Sequence, residues 1–110
     1  MVSEVNVGRY RLGYQSSPQE VALAVYGDVT KVPMLLKENP DIQWGAGDMV
    51  LAPNKKGCLT EVQQGETTVE VIKRCYPHQP SHLFVDAFLK WNNGLLAEDL
   101  VGQVVFIPHR

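Results

Sequence analysis

The chain repeats part of its sequence about 53 residues further on. Residues 35–42 (LLKENPDI) are echoed by residues 88–95 (FLKWNNGL), and residues 47–53 (GDMVLAP) by residues 102–108 (GQVVFIP). Self-similarity at such a period indicates that one small structural unit occurs twice. The sequence therefore predicts two tandem units, residues 9–54 and residues 57–108. The polar residues 54–57 (NKKG) between them predict a flexible connection.

Strands are predicted at both ends of each unit. Residues 9–14 alternate in character with a period of two, which is typical of a half-buried strand. Residues 49–52 are apolar and are followed by a proline, which predicts a short strand that ends there. The corresponding segments of the second unit are residues 59–63 and residues 104–107.

Helices are predicted between these strands from their start and stop signals. Ser17, followed by Pro18 and Glu20, predicts the start of a helix that Gly27 ends, because serine caps a helix and an acid suits its positive end. Similar signals, with Ser81 as the last cap, predict helices at about residues 30–39, 67–75 and 81–91. The residues predicted to face inward are Val21, Ala22, Val25, Val32, Leu35, Leu36, Val69, Ile72, Cys75, Leu83, Phe84, Ala87, Phe88 and Trp91.

The predicted fold class is α+β, with two tandem βααβ units. Each unit has a two-stranded antiparallel sheet packed on two helices. A two-stranded sheet alone is only marginally stable, and units of about 45 to 50 residues are near the lower size limit for independent folding. Each unit is therefore expected to need a neighbour.

Charge and composition argue against several classes of partner. The formal net charge is −2 and the pI is near 5.9, which favours neither nucleic acid nor a membrane as a partner. No stretch approaches the roughly 20 apolar residues of a membrane span, and residues 1–6 do not read as a signal peptide. We therefore expect the chain to stay in the cytoplasm where it is made, and Cys58 and Cys75 to be free, packed thiols.

The end of each unit resembles the LysM (lysin motif) family. In that family a second helix ends in Leu-x-x-x-Asn and a last strand reads Gly-Gln-x-Leu-x-Ile-Pro. Residues 89–92 (LKWN) and 102–108 match this ending closely, residues 35–40 (LLKENP) match it well, and residues 47–53 match it more loosely. The likeness covers about residues 9–108 and implies tandem LysM-like units.

A narrower likeness lies in residues 25–28 (VYGD), followed by Val32 and then Asn39. This arrangement resembles LysM-like modules of tail protein X and related baseplate proteins of contractile-tailed bacteriophages, in which Tyr-Gly-Asp links the two helices. The second unit departs from it, with residues 75–77 (CYP) in that place. The resemblance implies a non-enzymatic structural component of the virion.

LysM modules that bind N-acetylglucosamine polymers use a groove between two loops, and the resemblance transfers these loops by position. The first groove would be formed by Gln15, Ser16, Ser17 and Pro18 with Asp41, Ile42, Gln43 and Trp44. The second would be formed by Gln64, Gly65, Glu66 and Thr67 with Asn93, Gly94 and Leu95. Such loops can offer backbone hydrogen bonds and an apolar floor to an acetamido sugar. A module that kept only the scaffold would have the same loops.

Single residues in these segments have structural readings as well as functional ones. Trp44 could stack on a sugar or anchor a partner, or it could equally cover a small core. Trp91 lies at helical spacing behind Phe88 and is predicted to be core. Asn39 and Asn92 end their helices at matching places, which predicts that their amides hold the following turns.

No catalytic constellation, metal site or cofactor site is predicted. His78, His82 and His109 with Cys75 do not have the spacing of a common zinc site. The acidic residues Asp41, Asp48, Glu98 and Asp99 are typical of solvated turns rather than of a catalytic pair.

The function predicted first is a structural adaptor that joins the tail tube or hub of a contractile phage to baseplate or sheath proteins. Neighbours in a symmetric assembly, of six copies as the resemblance implies, would cover apolar residues such as Met34, Trp44 and Phe84. The alternative is a module that binds peptidoglycan or chitin, and a third reading is a bacterial LysM adaptor in the cytoplasm. Residues 1–8 could be an ordered arm, since Val2, Val5 and Val7 alternate with polar residues.

Overall fold

The structure, a computed structural model, describes residues 2–110 as an α+β fold with a three-stranded antiparallel sheet and four α-helices. The elements, in chain order, are β1 (Val2–Arg11), α1 (Pro18–Tyr26), α2 (Val32–Glu38), β2 (Met49–Glu61), α3 (Thr68–Cys75), α4 (Val85–Trp91) and β3 (Val104–Pro108). Short 3-10 turns lie at Val29–Lys31, Ser81–Phe84 and Ala97–Asp99.

The sheet has the order β1-β2-β3, with β2 as its central strand. The β1 strand pairs with β2 along almost its whole length, from Val2 opposite Thr60 to Arg11 opposite Met49. The β3 strand pairs only with the second part of β2, where Val104 lies opposite Glu61. Residues 2–8, whose order the sequence left open, therefore lie in β1 and extend the sheet.

The prediction of a flexible connection at residues 54–57 is wrong, because these residues lie inside β2. The strand continues through Pro53, and the two strands predicted at 49–52 and 59–63 belong to one strand. Asn54 has a φ of 63°, and the register with β1 shifts between Val5 and Val7. The polar segment forms a bulge, which bends a strand without ending it.

Caps begin α1 and α3 in the same way. The Ser17 hydroxyl accepts a hydrogen bond from the Glu20 N–H at 3.1 Å, and the Ser17 N–H donates to the Glu20 carboxylate at 2.9 Å. Thr67 and Glu70 make the same two bonds at 3.2 Å and 2.9 Å. This capping box satisfies backbone donors that the first helical turn leaves free. The predicted start of α1 is confirmed, and so is its end at Gly27, which is left-handed with a φ of 67°.

The predicted start of the last helix at Ser81 is wrong. Residues Ser81–Phe84 form a 3-10 turn that has no side-chain cap, and α4 begins at Val85. The cap that the prediction required is therefore not formed at Ser81.

Two backbone turns are closed by the same pair of hydrogen bonds. The Gly47 N–H donates to the Leu12 carbonyl, and the Gly102 N–H donates to the Val62 carbonyl, both at 2.8 Å. The N–H groups of Leu12 and Val62 each donate to the backbone carbonyl of the residue after the glycine, at 2.9 Å and 3.0 Å. Both glycines have φ values above 80°, a conformation that glycine adopts without steric cost.

The ends of α2 and α4 are held by buried asparagines, but their amides bond to the helix that they end and, for Asn39, to β2, and not to the following turns as predicted. The Asn39 amide donates to the carbonyls of Leu35 and Leu51, both at 2.9 Å, and its oxygen accepts from the Leu51 N–H at 2.8 Å. The Asn92 amide donates to the Phe88 carbonyl at 2.8 Å. Both asparagines are almost completely buried, so their amides are part of the fold.

Buried side chains form two clusters. The first cluster contains Leu12, Val21, Ala22, Val25, Leu35, Val50, Ala52, Trp91 and Phe106. The second contains Cys58, Val62, Val71, Ile72, Tyr76, Phe84, Phe88, Ala97, Leu100, Val105 and Ile107. Trp91, predicted to be core, is 4% exposed. It lies with Phe106 in the first cluster although both come late in the chain, so late and early segments share that core.

Three helical residues predicted to face inward are exposed instead: Leu36, Val69 and Leu83. Leu36 directly follows the fully buried Leu35, and successive helical residues point about 100° apart. Phe84 is fully buried and stacks on Tyr76, with ring centroids 4.2 Å apart. Its prediction as an inward residue is confirmed, and its prediction as a surface for neighbours is wrong.

The prediction of free thiols is also wrong, because Cys58 and Cys75 form a disulfide. It links β2 to the end of α3, with the two Cα atoms 5.9 Å apart. That separation is typical of disulfides. The sequence argument considered only the expected compartment, whereas the packing of α3 on β2 brings the two sulfurs together.

Candidate functional site

The two loops of the first predicted groove lie against each other. The Ser16 N–H donates to the Trp44 carbonyl at 2.9 Å, and the Gln15 side-chain amide donates to the Gln43 carbonyl at 3.4 Å. The Asp48 carboxylate accepts from two backbone N–H groups of the same loop at 3.1 Å each. These bonds fix the loop backbone next to the start of α1.

The other residues of this groove are partly used by the fold. Ser17 and Pro18 begin α1, and Asp41 is exposed. Ile42 and Trp44 are half-buried and pack against the first cluster. Trp44 has a left-handed φ of 58°. Its side chain therefore serves partly as a cover for the core.

The loops of the second predicted groove are held by different partners. Thr67 caps α3, and Leu95 packs on the second cluster. Within residues 2–110, no hydrogen bond joins residues 64–67 to residues 93–95. Asn93 and Gly94 instead lie near the end of β1. The groove that the resemblance implies thus has its closest counterpart in the first pair of loops.

Glu66, one of the predicted groove residues, is engaged by Arg74. The Arg74 guanidinium donates to both Glu66 carboxylate oxygens, at 2.8 Å and 2.7 Å. The hydrogen bonds from Arg74 lower the pKa of Glu66. Arg74 also donates to the Thr60 hydroxyl at 2.6 Å. Through Arg74, Glu66 in the loop before α3 is therefore connected to β2.

A cleft of about 480 Å³ lies between the end of β1 and one side of α4. We call it the β1–α4 cleft. Its first wall consists of Tyr10, Arg11, Leu12, Gly13, Tyr14 and Ser16, and its second wall of Asp86, Leu89, Lys90, Asn93 and Gly94. It shares Ser16, Asn93 and Gly94 with the predicted grooves, but it combines loops that the resemblance does not pair.

Gly13 brings the two walls into contact. A Cβ atom on Gly13 would lie 1.6 Å from the side-chain oxygen of Asn93, so a larger residue does not fit without displacing Asn93. Asn93 itself has a φ of 57°, and the following Gly94 N–H donates to the Leu89 carbonyl at 2.7 Å. The helix end that supplies Asn93 is therefore positioned by its own C-terminal cap.

The polar side chains of the second wall are not used by the fold. Within residues 2–110, no hydrogen bond or ion pair involves the side chain of Asp86, Lys90 or Asn93. On the first wall, burial and then the neighbouring Tyr14 raise the pKa of Tyr10. Tyr14 is 65% exposed, the highest value among the large apolar side chains described. The cleft thus offers aromatic rings beside unengaged polar groups.

Sequence reasoning missed most of this cleft. Asp86 and Lys90 have the i, i+4 spacing of one face of α4, and this signal was readable, whereas Asn93 lies beyond the end of that helix. The opposite wall comes from β1, distant in sequence, and no local pattern predicts which strand end meets which helix.

The histidines do not gather into a metal site. His109 Nε2 contacts the Glu4 carboxylate, which is an ion pair when the imidazole is protonated, and the His109 ring lies 5.9 Å from that of Tyr76. Within residues 2–110, no group of three or more His, Cys, Asp or Glu residues is placed to hold a metal ion. In the same part of the chain, no helix has the length and apolar character needed to span a bilayer.

Comparisons of this chain with models of protein families, with curated proteins and with solved structures found no match.

Proposed function

We propose that this protein is a non-enzymatic structural adaptor of a contractile phage tail or baseplate. In this proposal, two LysM-like βααβ units, residues 9–54 and 57–108, join the tail tube or hub to surrounding baseplate or sheath proteins. The protein would be assembled into the virion in the host cytoplasm. The resemblance to phage modules suggests six copies around the tail axis.

The observation that carries the proposal is the geometry of the Tyr-Gly-Asp segment. The Tyr26 hydroxyl donates to the Pro53 carbonyl in β2, and Gly27 ends α1 in a left-handed conformation. The Asp28 carboxylate accepts from the Thr30 N–H at 2.9 Å and from the Thr30 hydroxyl at 2.6 Å. The same bonds lower the pKa of Asp28. In the segment that resembles phage modules, Tyr26 therefore ties the end of α1 to β2, and Gly27 and Asp28 shape the connection from α1 to α2.

The contacts that occur twice support the division into two units. The capping boxes at Ser17 and Thr67 and the turns closed by Gly47 and Gly102 are the same devices at corresponding positions. In this interpretation the units share β2, which supplies the last strand of the first unit and the first strand of the second. Sharing a strand gives each small unit the neighbour it needs.

Exposed apolar side chains around α1 and α2 supply surface for neighbouring subunits. Leu23, Val29 and Leu36 are 54%, 48% and 46% exposed. Apolar side chains at a surface favour contact with a partner, and repeated copies of one chain provide such contacts in symmetric assemblies.

Purified phage particles provide the test. Mass spectrometry of washed particles should detect this chain, and sedimentation of the purified protein should show an oligomer. Leu23→Glu should weaken the oligomer without unfolding the chain, whereas Lys37→Glu, an exposed control on α2, should leave it unchanged. A monomeric chain that is absent from particles contradicts the proposal.

The alternative function, binding of peptidoglycan or chitin, is favoured by the contact between the loops of the first groove. A pull-down on insoluble peptidoglycan would separate the two functions. Binding that is tight and is lost in Trp44→Ala, but kept in the control Tyr14→Ala, supports the alternative. If the native protein, Trp44→Ala and Tyr14→Ala bind equally, or if none of them binds, the result argues against the alternative function.

A further inference from the structure

Arg11 is a half-buried cation without an anionic partner. Its guanidinium donates to the Gln103 side-chain oxygen and to the Val104 carbonyl, both at 2.9 Å. Its Nε atom is buried and has no hydrogen-bond partner, and neither ion pair found in residues 2–110 includes it. Burial lowers the pKa of Arg11, with no carboxylate acting against that shift.

A buried charge that lacks a counter-ion is unfavourable, and native proteins usually supply one. Arg11 forms part of the wall of the β1–α4 cleft. An anion bound in the cleft would therefore lie next to the Arg11 side chain.

The other groups of the cleft suit an anion as well. Lys90 is a second cation on the opposite wall and has no ion pair within residues 2–110. The amide of Asn93 and the hydroxyls of Tyr10 and Tyr14 add hydrogen-bond donors. Asp86 is the single carboxylate among the lining residues, so cationic and donor groups predominate in the cleft although the whole chain has a net charge of −2.

We propose that the β1–α4 cleft binds a carboxylate of a partner protein, presented by an acidic side chain next to an apolar or aromatic one. The carboxylate would lie between Arg11 and Lys90, and the apolar neighbour would contact the rings of Tyr10 and Tyr14 and the side chain of Leu89. Charged groups next to aromatic anchors are a common composition for recognition sites.

The claim that a partner protein supplies the carboxylate rests on the proposed adaptor function. The claim that the cleft binds an anion rests only on the charges of the cleft. Failure of one can be told from failure of the other. Particle composition tests the adaptor function, and binding of a small acidic probe tests the cleft.

The experiment is an NMR titration of the full-length ¹⁵N-labelled protein. The probe is the peptide acetyl-Phe-Glu-Phe-amide, and its control is the same peptide with Gln in place of Glu. The Glu peptide should shift the backbone amide signals of Gly13, Asn93 and Gly94, and the Gln peptide should shift them much less. Raising the salt concentration should weaken the binding, because ions screen exposed charges.

Two variants change the charge of the cleft in opposite directions, and a third variant is their control. Lys90→Gln should raise the Kd of the Glu peptide, and Asp86→Asn should lower it, each roughly two- to fivefold, the size expected for one partly exposed charge pair. Lys37→Gln is the matched control, since Lys37 has the same place near the end of α2, and it should leave the Kd unchanged. A structural role for these side chains would not give effects of opposite sign.

Several outcomes overturn the proposal. These are equal shifts with the Glu and Gln peptides, shifts confined to other parts of the chain, and no shift with either peptide. N-acetylmuramic acid and N-acetylglucosamine form a further pair of probes that differ in a carboxylate. Binding of N-acetylmuramic acid without binding of the Glu peptide would assign the carboxylate to a sugar and overturn the peptide source.

Discussion

The ring of Trp91 in α4 meets that of Tyr10 in β1 edge to face, with centroids 5.4 Å apart and planes 79° apart. The same indole lies 5.0 Å from the ring of Phe106 in β3. Trp91 thus connects the last helix and the last strand to the first strand. Aromatic contacts of this kind add to the stability that burial alone provides.

We predict that Trp91→Ala lowers the free energy of unfolding by about 3–5 kcal/mol, the range for removing a buried tryptophan. Urea unfolding followed by circular dichroism measures this change. Trp44→Ala is the control, and it should cost less because Trp44 is only half-buried. Similar losses in the two variants would contradict the central role of Trp91.

The same contact predicts that the early and late parts of the chain unfold together. Fluorescence and circular dichroism should give coincident transitions in urea, as expected for a two-state protein. Two separated transitions would show that the two buried clusters are independent.

The sequence predicted those features that depend on local chemistry. The capping of α1 by Ser17 depends on a side chain that bonds to the backbone three residues away, and the end of α1 depends on the left-handed conformation of Gly27. Such signals are complete in a short segment. Their success explains why the helices between the predicted strands lie near their expected positions.

The features that were missed depend on contacts between distant segments. The bulge at Asn54 occurs inside a strand because β1 and β3 both pair with residues 57–60 of β2, and no property of residues 54–57 alone indicates this. Likewise, Cys58 and Cys75 meet only when α3 packs on β2. The β1–α4 cleft has the same character, since its walls come from opposite ends of the chain.

Gly57 permits the close approach of β3 to β2. A Cβ atom there would lie 2.5 Å from both the Ile107 carbonyl oxygen and the Phe106 ring. We predict that Gly57→Ala lowers the free energy of unfolding by about 1–3 kcal/mol, a typical cost of overpacking. Gly45→Ala should change it by less than about 0.5 kcal/mol, since the nearest neighbouring atom found there is 3.4 Å away. Thermal or urea unfolding of both variants provides the comparison, and equal stabilities would argue against the close packing.

The disulfide should contribute to stability. Joining Cys58 to Cys75 closes a short loop. A cross-link that closes a loop of this size raises the free energy of unfolding by about 3 kcal/mol. Dithiothreitol should therefore lower the urea midpoint of the native protein. The control is the double variant Cys58→Ala, Cys75→Ala, whose midpoint should not respond to the reductant. Two thiols that react with Ellman's reagent in urea, before any reduction, would show that the bond is absent.

Alkaline pH should destabilise the protein through two phenols, the buried Tyr76 and the half-buried Tyr26. Burial raises the pKa of Tyr26 and of Tyr76 to about 12, from an ordinary value of 10, with smaller contributions from the charges of Glu38 and Glu4. The Tyr76 hydroxyl donates to the Ile107 carbonyl at 2.6 Å. Between pH 10 and 12 the unfolded chain loses these protons and the folded chain keeps them. The free energy of unfolding should therefore fall as the pH rises through this interval, by up to about 1.4 kcal/mol per pH unit for each tyrosine.

Urea unfolding at several pH values from 9 to 11.5 measures this slope, and Tyr26→Phe and Tyr76→Phe identify its source. Each variant should be less stable than the native protein at pH 7, by about 1 kcal/mol for the lost hydrogen bond. In each variant the free energy of unfolding should also fall less steeply above pH 10, because one titrating phenol has been removed. The absorbance of tyrosinate near 295 nm should show that the native phenols ionise late. If neither substitution reduces the slope, the two phenols lose their protons at the same pH in the folded and the unfolded chain. Other groups would then cause the alkaline destabilisation.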